Sequence, residues 1–197
     1  LLDPKTSGDV KFYNSEANQM QNLDDLSEEQ VKQFRRNTQM IFQDPYESLN
    51  PRWTIKDIIL EPLNIHNIGS LENRTEAVVE ILKTVGLTPP ENYLPRYPHE
   101  LSGGQRQRVS IARSLIMNPK FVICDEPTSM LDVSIRISIM DLMLDLAKDL
   151  QVSYLYITHD LAVARYMCNR IAVMFNGKIV EIAKTEDLLS HPIHPYT

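Results

Sequence analysis

The chain has 197 residues, 43% of them hydrophobic and 23% charged, values ordinary for a globular protein with one full domain, or one domain plus a small lobe. Its formal net charge is −6 and no extended run of Lys or Arg occurs, which argues against nucleic acid as the main partner, because phosphate backbones are bound through clustered positive charge. No apolar stretch approaches the roughly 18–20 residues that span a bilayer, and Leu1-Leu2-Asp3-Pro4 lacks the basic opening and long apolar run of a secretory signal.

In chain order, Leu1-Leu2 reads as the end of a helix running into a turn through Gly8, and Val10 to Tyr13 as a short strand. Ser27-Glu28-Glu29-Gln30 has the spacing of a helix capping box, with Val31 and Phe34 turned inward. Thr38 to Phe42 is a strand that stops at Gln43-Asp44-Pro45. The pattern then becomes helical. Ile55, Ile58, Ile59 and Leu63 make one apolar face, and Val78, Ile81, Leu82 and Val85 another, with Gly86 as its stop. Prolines 89, 90, 95 and 98 make a kinked linker into Leu101-Ser102-Gly103-Gly104-Gln105, followed by a helix with Val109, Ala112, Leu115 and Ile116 inward. Phe121 to Cys124 is a continuous apolar run, expected to be a strand covered on both faces. A helix with Ile135, Ile139, Leu142 and Leu146 follows, then a strand at Tyr154 to Ile157, a short helix from about Leu161, and a strand at Ile171 to Phe175. Asn176-Gly177 has the composition of a tight hairpin turn before Ile179 to Ile182. This alternation predicts an α/β fold, a mostly parallel sheet flanked by helices, with residues 44–118 as an inserted all-helical subdomain of a single domain over 1–197. Cys124 and Cys168 lie inside apolar segments without metal-like spacing and read as two buried thiols in a reducing cytosol.

Four places can carry chemistry. A buried strand ending in Asp125-Glu126 sets two carboxylates at the carboxyl edge of a parallel sheet, where ligands of such sheets bind. Asp125 suits a hydrated Mg²⁺, and Glu126 suits deprotonation of a water that attacks a phosphate; the bland alternative is a solvated acidic turn. Ser102-Gly103-Gly104-Gln105 opens a helix whose N–H groups a phosphate could approach; the alternative is a glycine-rich cap that binds nothing. His159 follows a strand and could donate to a terminal phosphate, or simply cap a loop. Gln43 could be an ordinary polar terminus.

Their order is more telling than any one of them. Gln43, then Leu-Ser-Gly-Gly-Gln at 101–105, then the apolar strand to Asp125-Glu126, then Ser129-Met130-Leu131-Asp132, then His159 resembles the ABC ATPase family motif by motif. The resemblance implies that Gln43 is the Q-loop glutamine, 101–105 the signature motif, Asp125 and Glu126 the Walker B pair, Asp132 the close of the D-loop and His159 the switch histidine. Phe42-Gln43-Asp44-Pro45-Tyr46-Glu47-Ser48-Leu49-Asn50-Pro51-Arg52, Arg96-Tyr97-Pro98-His99-Glu100 and His194-Pro195-Tyr196-Thr197 resemble the dipeptide and oligopeptide importer branch, in the form of its second ATPase subunit. Glu47, Trp53 and Met130 depart from that pattern, none at a phosphate-binding position.

By that resemblance the protein is an ATPase coupled to transmembrane transport, peripheral at the cytoplasmic face of the cell membrane. It uses ATP and Mg, pairs head to tail with a second ABC ATPase subunit, docks on permease subunits through about Asp44 to Leu60, and serves an external substrate-binding protein indirectly. Asp125 and Gln43 would lie near the metal, Glu126 would be the base, His159 would reach the γ-phosphate, Ser102, Gly103, Gly104 and Gln105 would complete the partner's site, and Asp132 would be a further nucleotide-binding residue. A phosphate loop of the form G-x-x-x-x-G-K-[ST] is not found at any of the six glycines, 8, 69, 86, 103, 104 and 177. The resemblance puts it upstream of Leu1, so the chain reads as N-terminally truncated and inactive alone. Rival readings are a non-catalytic subunit that only completes a partner's site, and a non-transport ABC ATPase. The 57 residues between Gln43 and Leu101 show no sustained heptads, unlike the DNA-tethering kind.

Overall fold

A computed structural model describes residues 7–14 and 19–197. The helix end expected at Leu1-Leu2 lies outside them. β1 (Lys11–Asn14) and β2 (Gln19–Asn22) form an antiparallel pair, of which only the first was expected. In α1 (Glu28–Asn37) the capping box is made. Gln30 N–H donates to Ser27 Oγ at 3.4 Å, and Ser27 N–H donates to Gln30 Oε1 at 2.9 Å. Phe34 meets Phe12 edge to face at 5.0 Å, which seats α1 on the β1–β2 ribbon.

β3 (Thr38–Ile41), β4 (Phe121–Asp125) and β5 (Ser153–Ile157) make a parallel sheet in that order. Ile41 stands beside Cys124 and Cys124 beside Tyr156, so alternate residues of all three strands share one face. On that face Ile41, Val122 and Cys124 are buried in one core with Val109 and Leu115 of α5 (Gly103–Leu115) and Ile139 and Met143 of α6 (Val133–Asp149). The other face differs from expectation. Met40, Leu155 and Ile157 are exposed and Phe121 and Ile123 half-buried, so burial along β4 alternates where cover on both faces was expected.

Every regular element between β3 and β4 is helical: α2 (Pro45–Ser48), α3 (Ile55–Ile65), α4 (Leu71–Thr84), two single 3₁₀ turns and α5. All four apolar positions anticipated on α3 are buried, as are Val78, Leu82 and Val85 at α4, with Ile81 half-buried. They join the sheet's core without a break. Gly86 ends α4 with φ +74°, and a Cβ there would stand 2.9 Å from Arg108 Nη1, which itself donates to Val85 O. The proline-rich linker is strapped to α3 by Ile55 N–H donating to Arg96 O at 2.8 Å.

Beyond β5, α7 (Leu161–Met167) leads to β6 (Arg170–Phe175) and β7 (Lys178–Lys184), a separate antiparallel pair. Asn176 and Gly177 both have positive φ, as a two-residue type I′ hairpin requires. α8 (Thr185–Ser190), which periodicity did not reveal, buries Leu188 against Ala164 and Ile171. Cys124 is buried as expected; Cys168 is only half-buried. Among the described residues no helix is long and apolar enough to cross a membrane.

Candidate functional site

Because β3, β4 and β5 run parallel and adjacent, the residues that follow their carboxyl ends are brought to one edge: Gln43, Asp125-Glu126 and His159. Glu126 is the centre. Its N–H donates to Ile157 O at 3.0 Å, extending the ladder one residue past β4, while its φ of +42° turns the chain sharply off the sheet. Ser129 holds that turn through its N–H and Oγ, which both donate to Glu126 O, at 3.1 and 3.0 Å. The carboxylate accepts from Gln43 Nε2 at 3.1 Å on Oε2 and pairs with His159 Nδ1 at 2.7 Å through Oε1. Glu126 is four-fifths covered, with 21% of its side chain exposed, whereas 73% of His159 is open to solvent.

This pairing sets the charge of His159. Its pKa is raised, first by the hydrogen bond that its ring N–H donates to Glu126 and then by that carboxylate's charge. The stabilisation is full below the ordinary pKa of about 6.5 and is lost as pH climbs through the raised value. Ring-proton NMR is expected to give a His159 midpoint above the ordinary value, falling back in Glu126→Gln. An unmoved midpoint would show that the pair does not form in solution.

The Asp125 carboxylate has no hydrogen-bond or ion-pair partner among the described residues, and Gln43 spends its Nε2 on Glu126, which leaves Oε1 free. One free carboxylate and one free amide oxygen at a sheet edge are hard oxygen donors of the number Mg²⁺ accepts beside its waters and a phosphate. No group of three or more His, Cys, Asp or Glu that could hold a metal occurs among the described residues.

The signature segment is built differently. Ser102 caps α5: its Oγ accepts from Gln105 N–H at 3.3 Å, and Gln105 Oε1 accepts from Ser102 N–H at 3.0 Å. The Ser102 hydroxyl proton and the first amides of α5 remain free to meet an anion. The two glycines are not equivalent. A Cβ on Gly103 would rest 3.6 Å from Leu131 Cδ2, an ordinary contact, but one on Gly104 would stand 2.7 Å from Ile135 Cγ2. Gly104 is therefore also a packing residue between α5 and α6. Asp132 is the N-cap of α6 by backbone alone, without a side-chain cap bond, and is exposed.

The structure thus gathers Gln43, Asp125, Glu126 and His159, while Ser102 to Gln105 and Asp132 stand apart from that cluster, with no hydrogen bond to it. A small cavity beside Glu126 is lined by Thr128, Ser129, Arg136, Tyr156 and Thr158, of which only Ser129 falls in a motif singled out in the sequence. Thr128 Oγ1 and Tyr156 OH lie 3.1 Å apart within it. Arg106 was also missed, and only its contacts reveal it: it is buried under the signature with its guanidinium over the Tyr46 ring.

A parallel sheet edge that gathers Gln43, Asp125, Glu126 and His159, with a glycine-rich helix start apart from it, is the arrangement that the ABC ATPase resemblance implies. The family comparison agrees: the ABC transporter family model matches residues 1–129, and the chain belongs to that family. It is 49% identical over 178 residues to the oligopeptide transport ATP-binding protein AppF of Bacillus subtilis, which covers 90% of this chain and 54% of AppF. It is 48% identical over 197 residues to the oligopeptide transport ATP-binding protein AmiF of Streptococcus pneumoniae, covering 100% of this chain and 62% of AmiF. With the glutathione import ATP-binding protein GsiA of Escherichia coli it shares 49% identity over 90% of this chain and 28% of GsiA. The chain thus spans roughly half to three-fifths of the first two of these relatives. Among solved structures, the ATP-binding cassette MJ0796 in a dimeric post-hydrolysis state bound to ADP and Pi superposes with a TM-score of 0.75 at 32% identity, over 93% of this chain and 76% of that one. That likeness and the parallel sheet with flanking helices make the fold an ABC ATPase cassette fold.

Proposed function

We propose that this chain is part of an ATP-binding and ATP-hydrolysing subunit that powers an importer of dipeptides or oligopeptides. The observation that carries the reading is Glu126, a carboxylate held between Gln43 and His159 at the carboxyl edge of three parallel strands. The names of AppF, AmiF and GsiA support peptides as the class of cargo.

In this reading Glu126 takes the proton of a water that attacks the γ-phosphate in line, and Gln43 and His159 hold the carboxylate in its orientation. His159, largely open to solvent, turns to the γ-phosphate when nucleotide arrives. Asp125 and Gln43 Oε1 would hold Mg²⁺, which supplies charge neutralisation at the phosphates. Ser102 to Gln105 present a hydroxyl and helix-start amides to the nucleotide of a second ATPase subunit, with Asp132 at the same junction. MJ0796 was solved as a dimer, which supports such pairing. The helical block 44–118 serves as a subdomain, and about 44–60 meets permease subunits at the cytoplasmic face of the membrane; an external binding protein delivers the cargo.

The test is phosphate release from ATP by the full-length protein with its partner subunit, with and without Mg²⁺. Mg²⁺-dependent turnover is expected. Nucleotide binding without turnover would replace this reading by a subunit that only completes its partner's site.

A further inference from the structure

We infer that Arg106 is a positioning and electrostatic residue of the anion site at Ser102–Gln105, supplying an unneutralised positive charge behind the amides that face the phosphate. The inference rests on the reading of that segment as a phosphate site and names what tunes it.

Arg106 is the fourth residue of α5 and 5% exposed. Helical side chains lean toward the N-terminus, so its guanidinium returns beneath the loop that precedes the helix. There Nη1 donates to Leu101 O at 2.5 Å and to Pro98 O at 3.2 Å, and the group lies over the Tyr46 ring at 3.6 Å from its centroid. Both hydrogen-bonded acceptors are main-chain carbonyls, no carboxylate pairs with it among the described residues, and Nε is buried without a partner. Burying a cation without a counter-ion is costly, and packing alone would be served better by an apolar side chain of the same volume.

The position explains the charge. The guanidinium sits under the positive end of the α5 dipole, and the two fields add at the free amides of Gly103 and Gly104. An oxyanion bound there is the missing counter-ion, present only in the loaded state. The fork and its plane also matter: one edge fixes the carbonyl of Leu101, just before Ser102, while one face stacks on Tyr46 of α2, three residues after Gln43. A lysine at this position, a point charge, could neutralise but could not clamp.

The experiment uses the full-length protein with its partner subunit and Mg-ATP as the probe, reading ATP-driven association by analytical ultracentrifugation and fold by calorimetric melting. Arg106→Met is expected to weaken association about ten-fold, a helix-end charge effect, and Arg106→Lys about three-fold. Tyr46→Phe should match the unmodified protein, and Tyr46→Leu should lose about three-fold because the clamp is loosened with the charge retained. Association that follows melting temperature alone across the four variants overturns the inference, as does unchanged association in Arg106→Met. If Arg106→Met does not fold, the Arg106→Lys variant and the Tyr46 pair decide by the same criteria. Failure of the unmodified protein to associate with ATP overturns the nucleotide reading itself, a different outcome from either.

Discussion

Glu126→Gln is expected to lower ATP turnover by the full-length protein by about 10²–10⁴, the range for loss of a positioned general base, while leaving ATP binding within a factor of a few. The substitution keeps shape and volume. One oxygen can still accept from Gln43 or from His159, but no atom can take a proton from water. The side chain is mostly covered and its neighbours are polar, so the amide finds partners and the fold is retained. Turnover and nucleotide affinity measured on the same preparation check this. A loss below about ten-fold would remove Glu126 as the base and leave it a role in orientation only.

The second large effect concerns packing at Gly104. Alanine is the better helix former by about 1 kcal/mol, so an uncrowded site would be stabilised. Here the added methyl would meet Ile135 Cγ2 at 2.7 Å, and the obstacle is a branched carbon near its own backbone that cannot swing aside. Overpacking of this kind costs about 1–3 kcal/mol and outweighs the propensity gain. Ile135→Ala removes the obstructing atom. A double-mutant cycle of Gly104→Ala and Ile135→Ala by denaturant unfolding is therefore expected to show a coupling of about 1–3 kcal/mol, with the double variant more stable than the two single losses summed. Additive losses would mean that α5 and α6 separate freely at this point. They would also remove the packing argument for the second glycine.

The elements that the sequence revealed are those whose signal is local. The capping box at Ser27, the stop at Gly86 and the hairpin at Asn176-Gly177 each depend on residues within four of one another, and each forms. The apolar faces of α3 and α4 were legible for the same reason. α8 was not, since six residues with one fully buried leucine contain less than two periods of any helix pattern. The run at Phe121 to Cys124 misled about cover because an apolar side chain says nothing about whether a helix lies opposite. At the site, the strand ends carrying Gln43, Asp125-Glu126 and His159 could be read along the chain. The hydrogen bonds that join them could not, since 83 and 33 residues separate Glu126 from its two partners. Arg106 shows the limit most clearly: a charged residue in a helix's first turn looks like a solvated one until Tyr46, Leu101 and Pro98 close over it.

The left-handed backbone at Glu126 places stability and activity in opposition. An L-residue other than glycine, asparagine or aspartate pays about 1–2 kcal/mol to sit there. A drift to glycine or asparagine would relax the turn and make a sturdier protein, one without the carboxylate proposed as the base. Selection for folding alone would discard this glutamate, so its presence at an unfavourable position accords with the role proposed for its carboxylate. Attempts to raise the stability of such a chain should leave this residue strained and look to the hairpins and caps elsewhere.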